Sequence, residues 1–252
     1  MSRIITVQIA VKRTLAISKK NAKIYYMKSA VIIFGLLFPA VMFLAFTIGR
    51  DMEPAQLTPS ILGVAVLFAA SAVGPLISPM EHMMKTYERM LTAPISLWNI
   101  TMGDIISGFL FGLLISMAPL LVGWLIFNTQ FTYIIPLIIA LCLAIFCFSA
   151  LGSLVSAMPT DMPQNAMMLA NLIRFPLIFI SGVFIPLREM PTWAQSLAHI
   201  SPLTYAVDLF RWSMGGSNSI NIYFSYFMLI VFTIIFVCWC KAAQQKSIKI
   251  LY

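Results

Sequence analysis

Apolar residues run through this chain in blocks of about twenty, long enough to cross ~30 Å of hydrocarbon as helices, separated by short charged segments. Six spans are predicted: Ser29 to Gly49, Pro59 to Met80, Thr101 to Phe127, Tyr133 to Ala157, Gln164 to Ile185 and Ile220 to Cys240. Pro39 is a tolerated kink in the first, and a loop with Arg50, Asp51 and Glu53 follows it. The second is rich in small residues (Ala65, Ala69, Ala70, Ser71, Ala72, Gly74) that let a neighbouring helix approach closely.

Two stretches depart from this pattern. In residues 1–27, Lys12, Arg13, Lys19, Lys20 and Lys23 fall on one arc of a helical wheel, opposite Val11, Leu15, Ile17, Ala22 and Tyr25. That predicts an interfacial helix lying on an anionic leaflet; a solvated basic tail is the other reading. Charged and apolar residues alternate here instead of forming one apolar block, so no cleavable signal peptide is expected. The second departure is Ser181 to Arg211, where Pro186, Pro191 and Pro202 break any single helix. Trp193, Leu197 and Ile200, then Leu203, Val207 and Phe210, recur at helical steps between the prolines. Trp193, Tyr205 and Trp212 suit a water–lipid boundary. Two short helices are predicted, half sunk in one membrane face as re-entrant-type outer helices over 186–216.

Composition sets the class. With 61% hydrophobic and 10% charged residues, the chain is expected to be an all-α integral membrane protein. Cys142, Cys147, Cys238 and Cys240 all fall inside apolar runs and read as buried hydrophobes, not as disulfides or a zinc site. The charge of +8 comes from short basic segments flanking the spans, which the positive-inside rule explains without nucleic acid. Counting Lys and Arg in the flanks puts twelve on the side of the termini and three (Arg50, Arg188, Arg211) on the other. Both termini are therefore expected in the cytoplasm of a multi-pass plasma-membrane protein, with loop 81–99 cytosolic and Ser181 to Arg211 outside. One transmembrane domain over 1–252 is expected: an interfacial helix (1–27), a six-span bundle (28–240) and a basic tail (241–252).

Chemistry-bearing residues are few. The loop 81–99 combines Glu81, Lys85, Glu88 and Arg89 with Met83, Met84, Tyr87, Met90 and Leu91. Glu81 and Lys85, four apart, would share a helical face, and Pro94 would end the helix. Such a helix either docks in a groove of a cytosolic partner or is an ordinary interfacial linker. Ionisable residues inside spans are functional candidates by default because burying them in lipid is costly. Arg174 lies about ten residues into the fifth span, roughly 15 Å from its cytosolic end, and Asp104 near the start of the third. Either Arg174 lines a path or meets an anionic group, or it forms a structural ion pair, with Asp104 as candidate, or snorkels. Asp208 and Arg211, three apart, would pair likewise. His82 and His199 stand apart, so no metal or catalytic centre is expected. Met162, Met167 and Met168 read as ordinary packing, with a pliable binding surface as the alternative. No glycine precedes a lysine, so the chain has no Walker A loop and its own ATP chemistry is not expected.

Two segments carry a family resemblance. Lys85-Thr86-Tyr87-Glu88 through Pro94-Ile95-Ser96 resembles the first cytosolic loop of type-2 ABC exporter permeases, where a Gly-Thr-x-Glu run is followed five residues on by Thr-Pro. Lys85 stands where glycine is usual, and Ala93 precedes Pro94. Ser181-Gly182, Pro186, Pro191-x-Trp193, Pro202-Leu203-x-Tyr205, Asp208 and Arg211 resemble the hallmark between the last two spans of that family. The likeness covers essentially the whole chain and is greatest to the drug and nodulation-factor exporter branch.

The resemblance implies a permease subunit of an ATP-driven exporter. Two such subunits, in a homodimer, would form the path above two copies of a separate ATPase that carry the ATP and Mg, with no cofactor on this chain. Glu81, Lys85, Thr86, Tyr87, Glu88, Arg89 and Pro94 would couple to the ATPase. Ser181, Gly182, Pro186, Pro191, Trp193, Pro202, Tyr205, Asp208 and Arg211 would form an outer cap. The apolar spans favour hydrophobic or amphipathic cargo. The alternatives are an intramembrane enzyme acting on lipids or peptides, a scaffold that transports nothing, and an ABC permease for polysaccharide or ions.

Overall fold

The computed structural model describes residues 2–27, 31–33, 35, 37–38, 40–41, 44, 54–92, 95–158 and 162–251. Among them every regular element is a helix. Helix α1 (Ser2–Asn21) runs into a π-helical turn (Ala22–Tyr26). Then follow α2 (Pro54–Ser71), α3 (Gly74–Met83), α4 (Thr86–Thr92), α5 (Leu97–Leu125), α6 (Ile134–Ser156) and α7 (Pro163–Ile180). A 3-10 turn (Leu187–Glu189) leads to α8 (Thr192–Ala198), α9 (Pro202–Ser213) and α10 (Ile222–Leu251).

Among the described residues, four helical stretches are long and apolar enough to cross a membrane: Leu57–Met83, which is α2 plus α3, then Leu97–Leu125, Ile134–Ser156 and Ile222–Lys246. The expected first span, Ser29 to Gly49, and its loop fall largely outside the described residues; those described within it are helical. The expected fifth span is α7, in which Gln164, Asn165, Asn171 and Arg174 dilute the apolar run, and it is not among the four.

The core forms where α2, α6 and α9 meet, from Leu62, Leu67, Ile145, Phe148, Leu203 and Phe210. Helix α10 packs along α6, and α1 lies against α5. Backbones come close where side chains are smallest. A Cβ placed on Gly74 would sit 2.8 Å from the carbonyl carbon of Gly152, and one on Gly152 would sit 2.9 Å from the Cα of Ser71. These glycines let α6 touch the α2–α3 break directly, as small residues do between membrane helices.

Helix α1 corrects its predicted face. Thr14, Ile17, Ser18 and Asn21, at helical spacing, are buried, while Val11 and Leu15 are exposed. Of the predicted apolar face, Ile17, packing against Tyr87 and Ile100, and Tyr25 are buried. Between helices, small polar side chains pack and hydrogen-bond; apolar ones have no reason to avoid lipid.

Candidate functional site

One end of the bundle gathers α1, the end of α3, α4 and the start of α5. Helix α3 stops where Met84 and Lys85 donate back to the carbonyls of Met80 and His82. Lys85 has φ +53°, in the left-handed region that costs a side-chain-bearing residue energy. Helix α4 starts beyond this turn, anchored by the Thr86 hydroxyl donating to the Glu81 carbonyl at 3.2 Å. Ser96 caps α5 by accepting from the Asn99 amide at 3.3 Å.

The turn overturns the expected Glu81–Lys85 pairing, because the two residues no longer share a helix. Glu81 is 2% exposed and ion-paired with Lys20 of α1. Tyr87 is also buried, with its ring 4.2 Å from that of His82. The exposed surface here is Met83, Met84, Lys85, Arg89 and Thr92, with Thr86 half-buried. Nearby, Lys241 of α10 sits 5.6 Å from the centre of the exposed Trp98 ring. Glu88 lies in α4, but its side chain, and all of Pro94, fall outside the described residues.

Behind this surface, polar side chains join the helices. The Asn21 amide donates to Asp104 of α5 at 2.6 Å. The Thr101 hydroxyl donates to Gln244 of α10, and the Ser149 hydroxyl of α6 donates to the Ile105 carbonyl at 2.6 Å. Arg174 is fully enclosed and spends its donors elsewhere: Nε on the Ser71 hydroxyl at 2.8 Å, one terminal nitrogen on the Ser71 carbonyl and the other on Asn171 at 3.0 Å. An Arg174–Asp104 ion pair is therefore not formed; among the described residues the salt bridge is Lys20–Glu81. Lys20, Asn21 and Ser71 were missed as partners. The signal for the first two was the spacing of Thr14, Ser18 and Asn21 around Ile17. The signal for Ser71 was Pro75, four residues on, which has no amide to give it.

The opposite end is built from the predicted outer stretch. Ser181 and Gly182 are buried, and Gly182 takes φ +76°, where a Cβ would strike Leu187. Pro186 precedes the 3-10 turn, Pro191 caps α8, and Pro202 opens α9. Helix α8 is exposed, with Trp193 at 68%. Helix α9 is not half sunk: every residue from Ser201 to Arg211 is buried. Trp212 stacks on Tyr133, with centroids 4.6 Å apart.

Burial leaves α9 polar groups to find partners, and Thr204, Tyr205, Asp208 and Arg211 each find backbone. Tyr205 donates to the His199 carbonyl at 3.0 Å and Thr204 to the Ala198 carbonyl at 2.6 Å. Asp208 accepts from the amides of Ser219 at 2.7 Å and Ile220 at 3.2 Å, while Arg211 donates to the Gly182 carbonyl at 3.3 Å. Asp208 and Arg211 thus form no direct ion pair, although each feels the other's charge. Burial pushes the Asp208 carboxyl above its ordinary pKa, opposed by the two amides and by Arg211 and Arg188; burial lowers that of Arg211.

A family model described as ABC-2 type transporter matches residues 6–215, which run from α1 through α9 and include both segments just described. The chain belongs to the ABC-2 type transporter family. It is 24% identical over 169 residues to the inner membrane transport permease YadH of Escherichia coli (strain K12), covering 66% of this chain and 65% of that protein. It is 25% identical over 142 residues to nodulation protein J of Sinorhizobium fredii (strain NBRC 101917 / NGR234), covering 55% and 54%. It is also 25% identical over 161 residues to the probable multidrug ABC transporter permease YbhR of Escherichia coli (strain K12), covering 60% and 41%. The matches thus span less than two thirds of these relatives' lengths. In this ABC-2 chain Lys85 holds φ +53°, a conformation that glycine adopts freely.

Proposed function

We propose that this chain is the permease subunit of an ATP-driven exporter, working with a second copy of itself above two copies of a separate ATPase that holds ATP and Mg. The observation that carries this reading is the mounting of α4. A short helix sits on an abrupt turn, with Lys85 and Arg89 in the open, while the adjoining Glu81 is tied to α1 and Tyr87 is packed inward. A helix so placed passes a push from a partner into three other helices.

In this reading both termini and α4 are cytoplasmic, six spans make one permease domain over 1–252, and α8 and α9 close the path outside. Lys85, Thr86, Glu88, Arg89 and Pro94 meet the ATPase, while Glu81 and Tyr87 hold α4 from behind. Closure of the ATPase pair moves α4 and rocks the two permease copies between inward and outward access. The cargo is hydrophobic or amphipathic, as the names of the nodulation and multidrug relatives also suggest. Export is the direction that the resemblance to drug and nodulation-factor exporters favours.

Tagged protein purified from its native membranes in mild detergent tests this. A co-purifying chain with a Walker A loop, whose ATP turnover changes with this subunit, is expected. Purification with no nucleotide-hydrolysing partner, from cells that express one, would overturn the reading.

A further inference from the structure

The second span is broken in its middle, and the break has a donor brought in from another helix. Helix α2 ends at Ser71 and α3 begins at Gly74. In an unbroken helix the Ser71 carbonyl would accept from the amide of residue 75, but that residue is proline and has none. An orphaned carbonyl inside a membrane is costly unless another group satisfies it.

Arg174 satisfies it. Its guanidinium donates to the Ser71 carbonyl and, at 2.8 Å, to the Ser71 hydroxyl, and lies 5.7 Å from the centre of the Phe68 ring. The Ser71 hydroxyl in turn donates to the Leu67 carbonyl at 2.5 Å. The buried positive charge thus sits on the carbonyl end of α2, where the helix dipole favours a cation. On the far side of the break, Gly152 of α6 presses backbone against both Ser71 and Gly74, leaving no side chains to interlock. Below it, the Ser78 amide donates to the Ser156 hydroxyl of α6 at 3.0 Å.

We propose that Ser71–Gly74 is a hinge in the second span and that Arg174 is its positioning residue, fixing the angle between α2 and α3. Helix α3 runs from this break to Glu81 and the Lys85 turn, so the angle decides where α4 stands relative to the bundle. What drives the hinge rests on the exporter reading; its pinning by Arg174 does not.

The test uses the chain alone in lipid nanodiscs, with native cysteines replaced and spin labels at Met84 and Met168, both exposed. The distance between them is expected to form one population. Arg174→Met removes every donor and should add a second population. Adding Pro75→Ala to that variant returns an amide to the Ser71 carbonyl and should restore a single population, even at a different mean. A distribution unchanged by Arg174→Met, or one that Pro75→Ala fails to narrow in a folded protein, overturns the hinge. Because no ATPase is present, failure of the exporter reading would leave these results untouched, and would show instead as an absent partner in the purification.

Discussion

The two ends of the bundle satisfy their buried polar groups in different ways. At the α1 end, side chains from different helices meet each other: Lys20 with Glu81, Asn21 with Asp104, Thr101 with Gln244. At the α9 end, side chains mostly bind nearby backbone, as Tyr205, Thr204, Asp208 and Arg211 do. The Thr58–Thr129 hydroxyl pair and the contact of His199 with Tyr205 are exceptions. Contacts between separate helices change when helices shift, whereas a stretch that binds its own backbone moves as a unit. On the proposed function, the α1 end is the one displaced and the α9 end the one that stays whole.

The largest effect that would break this contrast is at Lys20. Lys20→Ala leaves Glu81 buried without its cation and should cost about 2–3 kcal/mol of stability, less than a wholly buried pair because Lys20 is partly exposed. Lys20→Met with Glu81→Leu should recover most of it. Asp208→Asn, which keeps one acceptor for the Ser219 and Ile220 amides, should cost about 1–2 kcal/mol and add to Lys20→Ala without coupling. Thermal unfolding in detergent measures all of these. A cost below about 0.5 kcal/mol for Lys20→Ala, the range of an ordinary surface change, or strong coupling across the two ends, would contradict the contrast.

The smallest effect is at Lys85. Lys85→Gly relieves a left-handed side-chain-bearing residue and should raise stability by up to about 1 kcal/mol, with a matching rise in melting temperature. A fall would mean that the exposed lysine holds the turn by a contact the backbone angle does not reveal.

Much of this architecture was legible from residue pattern. Long apolar blocks gave α2 with α3, α5 and α6 within a few residues and the start of α10, which runs past the expected end at Cys240 through the basic tail to Leu251; the prolines placed the breaks around α8 and α9. What stayed hidden depended on which face a helix turns inward. In a membrane an apolar face has no preferred side, so Val11 and Leu15 face out while Thr14, Ser18 and Asn21 face in. Glu81 read as surface because Lys85 stood four residues on; a turn that only φ reveals sent it to Lys20 instead. Arg174 read as lining a path or meeting an anionic group, as an ion-pair partner for Asp104, or as snorkelling. Its partner is a carbonyl that Pro75 orphaned, a relation written in the sequence four residues apart but joined to Arg174 only by the fold. Helix α9 read as interfacial from its aromatics, yet Tyr205 binds the His199 carbonyl and Asp208 the Ser219 and Ile220 amides beyond the helix, and it sinks.

On the proposed function, motion enters at the α1 end and leaves the α9 end intact. Spin-label pairs at Lys19 and Arg89, and at Ser196 and Ser217, report the two ends from exposed positions. In a complex with the proposed ATPase, adding ATP should shift the first distance and leave the second unchanged. A shift confined to the Ser196–Ser217 pair, or no shift between Lys19 and Arg89 while ATP is being hydrolysed, would contradict it.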